Sequence, residues 1–401
     1  MGFKISKGRV ENFAVVWLVL ASGTVMYAKY NMLLCMAILV VLGTLLLVFL
    51  NKLSVERSNF NAACLLVLFG TLTCWVNGFK GFSINDFLIF VGEVFFLMSL
   101  CSAISFKKFQ RIFIETIYII TIISLICFVF VVIFPTVRLP FEMHIERLNW
   151  TGTFYYTLGF GWGRSFRNAG IFGEGGVFQI FLNMALFFLI HSDDELKRKK
   201  IKIVVLVIGV LTTVSSIGYI ALVLVLMSLL VKNESQKARY YILCFLAIAC
   251  IVIIDSSIGL LTEKIINQQG SFGSRYDDTL VSLLVANDHP LFGHGISNEY
   301  LSAWEVHVNS PLRITNPKYV QLQRSSGIGL IAMRCGYPFL IVFILRILGH
   351  IRRSFNKGWL IGVLGGLVMI LGCFNEPMQF TPFYLMAFFV WKKEDAETSC
   401  L

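Results

Sequence analysis

Residues 112–134, with the sequence IFIETIYIITIISLICFVFVVIF, contain a single charged side chain, that of Glu115. The hydrocarbon core of a bilayer is about 30 Å thick, and an α-helix crosses it with about 20 mainly apolar residues. A helix also satisfies its own backbone hydrogen bonds, which lipid cannot do. This stretch therefore predicts a transmembrane helix.

Apolar blocks of similar length recur along the chain. Of its 401 residues, 57% are hydrophobic and 14% are charged, whereas a soluble domain has roughly 25% charged residues. We therefore predict an all-α polytopic membrane protein with about twelve transmembrane helices. The predicted spans are residues 13–28, 31–50, 60–77, 84–104, 112–134, 171–191, 201–215, 217–231, 240–257, 326–347, 359–374 and 380–391.

Turn residues and charge predict the topology. The stretches 201–231 and 359–391 are each predicted to be a hairpin, because each is too long for one span and has turn residues near its middle. With the amino terminus in the cytoplasm, Lys and Arg then collect in short cytoplasmic segments, as the positive-inside rule requires. Both termini are predicted to be cytoplasmic. Residues 1–395 form one transmembrane domain in this interpretation, and residues 396–401 form a flexible tail.

The same rule explains the net charge of +11, so binding to nucleic acid is not expected. The ten cysteines lie almost all inside apolar runs and have no metal-binding spacing, which is typical of packing residues. No nucleotide-binding motif occurs in the sequence, so a nucleotide-driven pump is not expected either.

Two outer loops are long in this topology, residues 135–170 and 255–325. The first ends with Arg164 and Arg167, followed by a glycine-rich segment that leads through Glu174 into the sixth predicted helix. Two arginines beside a helix amino terminus are typical of an anion site, because the guanidinium charge and the helix dipole act together. The plainer alternative is that these arginines bind lipid headgroups.

The second long loop supplies Arg275, Asp277 and Asp278, and then His289 and His294. Histidine can act as a general base near neutral pH. The structural alternative for the segment around His289 is a capped turn. The spacing of the two histidines fits no strong metal motif, so no metal site is predicted.

Ionisable residues also occur within or beside the predicted spans. A charge inside the hydrocarbon core is costly, so such residues normally face protein or a cavity. Glu93 and Arg334 are predicted to lie deepest, as a structural pair or as a transport relay. Asp86 and Glu115 are predicted to reach interfacial water, and Glu376 to lie at the outer end of the last hairpin.

Four motifs occur in a characteristic order. They are Arg164–Glu174 at the start of the sixth helix, Thr212–Tyr219 at the turn of a hairpin, Arg275 with His289–Gly295, and Ser325–Pro338 entering the tenth helix. In order and placement they resemble the bacterial O-antigen polymerase (Wzy-type) and O-antigen ligase family. The resemblance covers about residues 130–395.

The resemblance implies a polymerase for O-antigen or capsule in the bacterial inner membrane. Its donor and acceptor would be undecaprenyl-diphosphate-linked oligosaccharides, and neither metal, nucleotide nor another cofactor would be required. A chain-length regulator and a flippase are possible protein partners. The implied diphosphate-binding residues are Arg164, Arg167 and Arg275; the implied catalytic residues are His289, His294, Glu174 and Asp277; further substrate contacts are Arg147, Arg313, Arg324 and Glu376.

Two departures from the family pattern bear on the activity. Glu174 is followed by Gly175, where the family often has Glu-Pro. Ser325 and Ser326 stand where the ligases place a histidine, commonly with an asparagine, and this favours a polymerase. The alternatives are an O-antigen ligase that transfers glycan to the lipid A core, and a flippase or transporter of lipid-linked oligosaccharides.

Overall fold

A computed structural model describes eleven segments of the chain. These are residues 7–25, 32–50, 54–79, 83–136, 138–145, 150–160, 166–192, 198–232, 271–295, 326–355 and 358–393. The predicted span 240–257 lies outside the described residues, as do Arg147, Arg164, Arg313, Arg324 and Ser325.

The described residues are mostly helical. Four helices are long and apolar enough to cross a membrane, and four shorter apolar helices accompany them. This confirms a multi-pass, mainly α-helical membrane protein, while the number of spans stays a prediction. The helices are α1 (Lys7–Ala21), α2 (Met32–Leu50), α3 (Arg57–Val76), α4 (Ile84–Ala103), α5 (Phe106–Ile133), α6 (Gly175–His191), α7 (Lys199–Thr212), α8 (Ser216–Lys232), α9 (Ser271–Asp288), α10 (Gly327–Phe355), α11 (Trp359–Asn375) and α12 (Pro382–Leu385).

One end of the helix bundle collects basic residues, and we call it the basic end. Lys108 at the start of α5 forms an ion pair with the buried Glu11 of α1, and Lys202 of α7 forms one with Glu115 of α5. The partly exposed Glu115 thus has a cationic partner at this end. Helices α1, α5 and α7 all begin here, as the predicted topology requires of odd-numbered spans.

The opposite end holds the segments that the sequence singles out, and we call it the site end. Helices α1 and α11 end here, while α6 and α10 begin here. Contacts between them include the bridge from Thr24 to Phe172 and the close approach of Gly176 to Glu376. Helices α1 and α11 thus run towards the site end, and α6 and α10 run away from it.

Helix α6 lies in the centre of the bundle. Nearly all of its residues are buried, including Phe178, Phe181 and Phe188. A helix that is apolar on every face is surrounded by protein. Phe181 stacks on Phe172, which precedes the helix, with ring centroids 4.5 Å apart. The amino terminus of α6 is therefore a fixed point of the site end.

The last predicted span, residues 380–391, is not one helix. Only α12 and the following 3₁₀ turn Met386–Phe388 are helical, and the chain then runs extended to Lys392 at the basic end. Non-helical backbone is tolerated at membrane depth where protein surrounds it, and Phe383 to Ala387 are fully buried. The buried Asn59 bonds both the N–H and the carbonyl of Val390. Protein groups thus replace the hydrogen bonds that a helix would supply.

The first outer loop contains a small antiparallel sheet, which the sequence pattern did not predict. Its strands are β1 (Met143–Ile145), β2 (Trp150–Gly152) and β3 (Thr157–Phe160), in that order. Leu139, Tyr156 and Leu158 pack against Val131 near the end of α5. Burial raises the pKa of Tyr156 well above its usual value, so its phenol stays neutral. The sheet anchors this loop to the site end.

Residues 271–288 form helix α9, although the sequence pattern predicts a loop there. Helix α9 runs beside α10 in the same direction, since Ser282 lies against Gly329 while the Tyr337 hydroxyl donates to the Leu283 carbonyl at 3.1 Å. The sequence of this helix is too polar to be recognised as a span. Its contacts with α10 stabilise the helical conformation. The prediction of a loop here was wrong.

Candidate functional site

Helix α6 begins at Gly175, because the preceding residue Glu174 has an extended N-cap conformation, with φ −139° and ψ 155°. The carbonyl of Glu174 accepts hydrogen bonds from the N–H groups of Val177 and Phe178 at 3.1 Å. The Glu174 side chain is half-buried and does not cap the helix itself. Its carboxylate is therefore available for other contacts at this end.

Asn168 fixes the segment that leads into α6. Its side-chain nitrogen donates to the hydroxyls of Ser124 on α5 and Thr212 on α7, at 3.2 and 3.0 Å. Its side-chain oxygen accepts from the N–H of Gly170 at 3.1 Å, and its own N–H donates to the Thr212 carbonyl at 2.9 Å. Gly170, at φ 56°, turns the chain in a region that glycine favours. One buried amide thus joins two helices and the loop.

Arg167 lies next to Asn168 and is exposed. Its charge acts on Tyr219 in the first turn of α8, whose hydroxyl donates to the carbonyl of Leu211 at 3.0 Å. The structure therefore brings the first predicted motif, at Arg167, beside the second, at the α7–α8 turn. Arg164 itself lies outside the described residues.

The linker Glu376–Thr381, between α11 and α12, touches two helix amino termini. Glu376 is 4% exposed, and its Oε1 accepts a hydrogen bond from the Asn375 amide at 2.8 Å. That oxygen lies directly against Gly176, in the first turn of α6. Gly327, the first residue of α10, lies against the backbone oxygen of Glu376 and against Gln379.

Ser326 caps α10 at the same place. It is 1% exposed, its hydroxyl accepts from the N–H of Gly329 at 3.3 Å, and its carbonyl accepts from Leu330 at 3.0 Å. Serine is a favoured N-cap residue because its side-chain oxygen satisfies a free N–H of the first turn. This gives Ser326 a structural role in the motif that enters α10.

The histidine loop, which we define as residues 289–295, follows α9. His289 is exposed, and its ring meets that of His294 edge to face with centroids 4.5 Å apart. The Nε2 atom of His294 lies 3.2 Å from the Val285 carbonyl, and its backbone N–H donates to the Met333 carbonyl at 2.8 Å. His294 is thus held by its surroundings, whereas His289 faces outward.

The histidine loop docks on a kink in α10. Gly336, at φ 79° and ψ 170°, breaks the helical backbone, and Pro338 has no N–H to donate. The N–H of Tyr337 donates instead to the Pro290 carbonyl at 2.9 Å, and the N–H of Gly295 donates to the Arg334 carbonyl at 2.9 Å. The loop therefore supplies hydrogen bonds that the kink removes from the helix.

Asn77, just beyond the end of α3, holds the other side of the histidine loop. Its amide donates to the carbonyls of Gly293 and Thr73 at 3.0 and 2.7 Å. Because the same loop bonds to Arg334, that arginine lies level with the end of α3. Arg334 is therefore near the site end, whereas Glu93 is at the middle of α4. How deep Arg334 and Glu93 lie in the membrane stays a prediction.

The guanidinium of Arg334 lies over the ring of Phe380, 6.0 Å from its centroid. Phe380 belongs to the same linker as Glu376, so the linker connects the first turn of α6 with the part of α10 that carries the histidine loop. The described parts of the two predicted loops thus approach the same linker through α6 and α10.

The remaining predicted site residues are placed as follows. Arg275 and Asp277 lie in α9, two turns or less before Ser282, which faces α10. Asp278 is buried in the same helix, and Asp86 lies in the first turn of α4. Among the described residues, no group of three His, Cys, Asp or Glu side chains is arranged to hold a metal ion.

Sequence reasoning missed Asn168, Asn77 and the role of Gly336. The asparagine in Asn168-Ala-Gly170 carries a turn signal, since asparagine bonds its own backbone two residues on. Gly336 two residues before Pro338 likewise signals a kink. Nothing in the sequence indicates that Asn77 contacts a loop more than two hundred residues away.

The family model described as O-Antigen ligase matches residues 201–331. The matched part contains most of α7, all of α8 and α9, the histidine loop and the first turn of α10, whereas Arg167, Glu174 and Glu376 lie outside it. No match to a curated protein is found. The match supports glycosyl transfer of the O-antigen ligase or polymerase type, with lipid-linked oligosaccharides as substrates. The resemblance seen in the sequence is thereby confirmed over residues 201–331, which match the O-antigen ligase family model.

Proposed function

We propose that this protein is a polysaccharide polymerase of the O-antigen or capsule type. It joins undecaprenyl-diphosphate-linked oligosaccharide repeat units on the outer face of the inner membrane. The observation that carries the proposal is the linker at the site end. It contacts the first turn of α6, which follows the segment with Arg167 and Glu174, and it contacts Arg334 of α10, whose carbonyl bonds the histidine loop. The family match supports the class of reaction.

In this reaction a hydroxyl of the acceptor sugar attacks the anomeric carbon of the donor glycan. The carbon–oxygen bond to the diphosphate breaks, and undecaprenyl diphosphate leaves with the bonding electrons. Arg164, Arg167 and Arg275 are proposed to stabilise the charge that develops on this leaving group, since a planar guanidinium binds phosphate oxygens in pairs. The proton of the acceptor hydroxyl goes to a base.

Among the proposed bases, His289 has the most suitable surroundings. It is exposed beside the kink of α10, whereas His294 is tied to the carbonyl of Val285. Glu174 is half-buried at the start of α6 and is the second candidate. Asp277 stays a prediction, as do the substrate contacts of Arg147, Arg313 and Arg324.

Replacement of the proposed diphosphate ligands tests the function. Arg275→Ala and Arg167→Ala should abolish long glycan chains while single repeat units still reach the surface, because the leaving group loses a charge-assisted contact. Arg353→Ala is the matched control, since Arg353 is an exposed arginine at the basic end. Gel analysis of surface glycan measures the outcome, and normal long chains in the Arg275 variant would contradict the assignment.

The ligase is the second candidate, because the matching family model carries that description. A ligase predicts that deletion leaves finished polymer on undecaprenyl diphosphate, whereas a polymerase predicts that polymer is missing. Purified protein in liposomes with lipid-linked repeat units separates both enzymes from a flippase. A polymerase lengthens the glycan there, and a flippase only moves it across the bilayer.

A further inference from the structure

Glu376 is an acidic side chain that is buried at the site end. It is 4% exposed, and the Asn375 amide donates to its Oε1 at 2.8 Å. A buried carboxylate is costly unless its surroundings favour the charge. The surroundings of Glu376 therefore indicate what it does.

The carboxylate lies at the positive end of a helix. Its Oε1 is so close to Gly176 that a Cβ at this position would overlap with it. Gly176 belongs to the first turn of α6, where the helix dipole stabilises a negative charge. The absence of a side chain at Gly176 is thus what allows Glu376 to reach this helix end.

The backbone of Glu376 faces a second helix. Its carbonyl accepts from the N–H of Met378 at 2.8 Å and lies 2.7 Å from the position that a Cβ on Gly327 would take. The same Cβ would lie 2.6 Å from the Cys373 carbonyl oxygen and 2.8 Å from the Gln379 Oε1. Helices α6 and α10 therefore each have a glycine in the first turn, and both glycines pack against Glu376 of the linker.

We infer that Glu376 is a positioning residue of the glycosyl transfer and does not contact the substrate. Through the first turn of α6 it fixes the segment with Arg167 and Glu174 relative to α10, and α10 carries the histidine loop. Its small exposed fraction leaves no surface for a glycan or a diphosphate. This inference rests on the proposed function, because the groups that it aligns are those of the proposed reaction.

A pair of variants separates packing from positioning. Gly176→Ala places a methyl group where Oε1 lies, so the variant should accumulate poorly in the membrane and melt at a lower temperature. Adding Glu376→Ala removes the overlapping oxygen and releases the Asn375 amide, which lies 2.8 Å from the added methyl group, so that it can turn away; both quantities should be restored. If Glu376 only packs, the double variant should also polymerise normally. If it positions the site, kcat should stay about 100-fold below the parent value, since a displacement of about 1 Å costs that much.

Glu376→Gln provides a variant that keeps the shape of the side chain. It retains an acceptor for the Asn375 amide and loses the charge that the α6 dipole favours, so we expect a reduced kcat with little change in KM. A purely structural role would instead lower the amount of active protein and leave kcat per folded molecule unchanged. Folded protein is quantified by size-exclusion chromatography in detergent, and kcat from elongation of a lipid-linked repeat unit in liposomes.

The outcomes distinguish this inference from the function on which it rests. If the parent protein does not lengthen the glycan, the proposed polymerase fails. If the parent does so and the double variant reaches the parent kcat, Glu376 is not a positioning residue. If Gly176→Ala alone behaves as the parent does, the contact between Glu376 and α6 is absent and the inference is overturned.

Discussion

At the scale of single residues, the kink of α10 depends on Gly336. Its φ of 79° and ψ of 170° lie in a region that only glycine adopts readily, and a Cβ there would meet the carbonyl carbon of Leu291 at 2.5 Å. Gly336→Ala should therefore lower the free energy of unfolding by ~1–3 kcal/mol. The measurement is SDS-induced unfolding of the purified protein. Gly349→Ala in the same helix is the control, since a Cβ there meets nothing closer than 3.9 Å.

Asn59 carries a second residue-scale prediction, because it replaces helical hydrogen bonds at the basic end. Its amide nitrogen donates to the Ser102 hydroxyl and the Val390 carbonyl at 3.0 and 2.8 Å, and its oxygen accepts from the Val390 N–H at 2.7 Å. Asn59→Ala leaves buried backbone groups unsatisfied, at ~1–3 kcal/mol each. Thermal melting in detergent should show a lower melting temperature for Asn59→Ala. Asn61→Ala, at an exposed position, should leave the melting temperature unchanged.

At the scale of elements, the α7–α8 turn contains a strained residue. Val214 has a φ of 49°, in a region that β-branched side chains rarely adopt, and its side chain is 46% exposed. Val214→Gly should raise the free energy of unfolding by ~1 kcal/mol, because it removes the strain and little buried surface. Val204→Gly in the middle of α7, also exposed, should instead lower stability by a similar amount, ~1 kcal/mol. Equal effects of the two substitutions would contradict the assignment of strain.

The same turn shows how elements build the site. The buried side chain of Asn168 donates to Thr212 at the end of α7. A Cβ on Gly175, at the start of α6, would lie 2.8 Å from the carbonyl oxygen of Thr213, so the helix start and the turn pack backbone to backbone. The loop with Arg167 is thus held between α6 and α7. The sequence alone predicted a loop beside a helix start, whereas packing determined its neighbours.

At the scale of the whole molecule, the direction of the helices predicts the topology. Helix α8 ends at Lys232, on the basic side, and α9 runs with α10 away from the site end. The chain between residues 232 and 271 should therefore cross the membrane once. Alkaline phosphatase fused after Ser271 or Phe154 should be active, and the enzyme fused after Lys232 or Arg198 should be inactive. Alkaline phosphatase activity in the fusions after both Lys232 and Ser271 would contradict the predicted span 240–257.

Apolar length and charge in the sequence determined the class of the protein and the position of most helices. Both follow from local physics: a run of apolar residues is stable only in lipid or in a core, and lysines and arginines remain on the cytoplasmic side. The ordered motifs also indicated the family, and residues 201–331 confirm it. The site residues themselves stay predictions.

Only the tertiary structure decided where the helical pattern fails and which motifs meet. Residues 380–391 are as apolar as a span, yet buried protein contacts stabilise a largely non-helical backbone there. Residues 271–288 are too polar for a span, yet packing on α10 makes them a helix. Glu376 reaches α6 because Gly176, two hundred residues earlier, has no side chain. Contacts between residues so distant in sequence depend on how the helices pack, and local sequence patterns do not predict them.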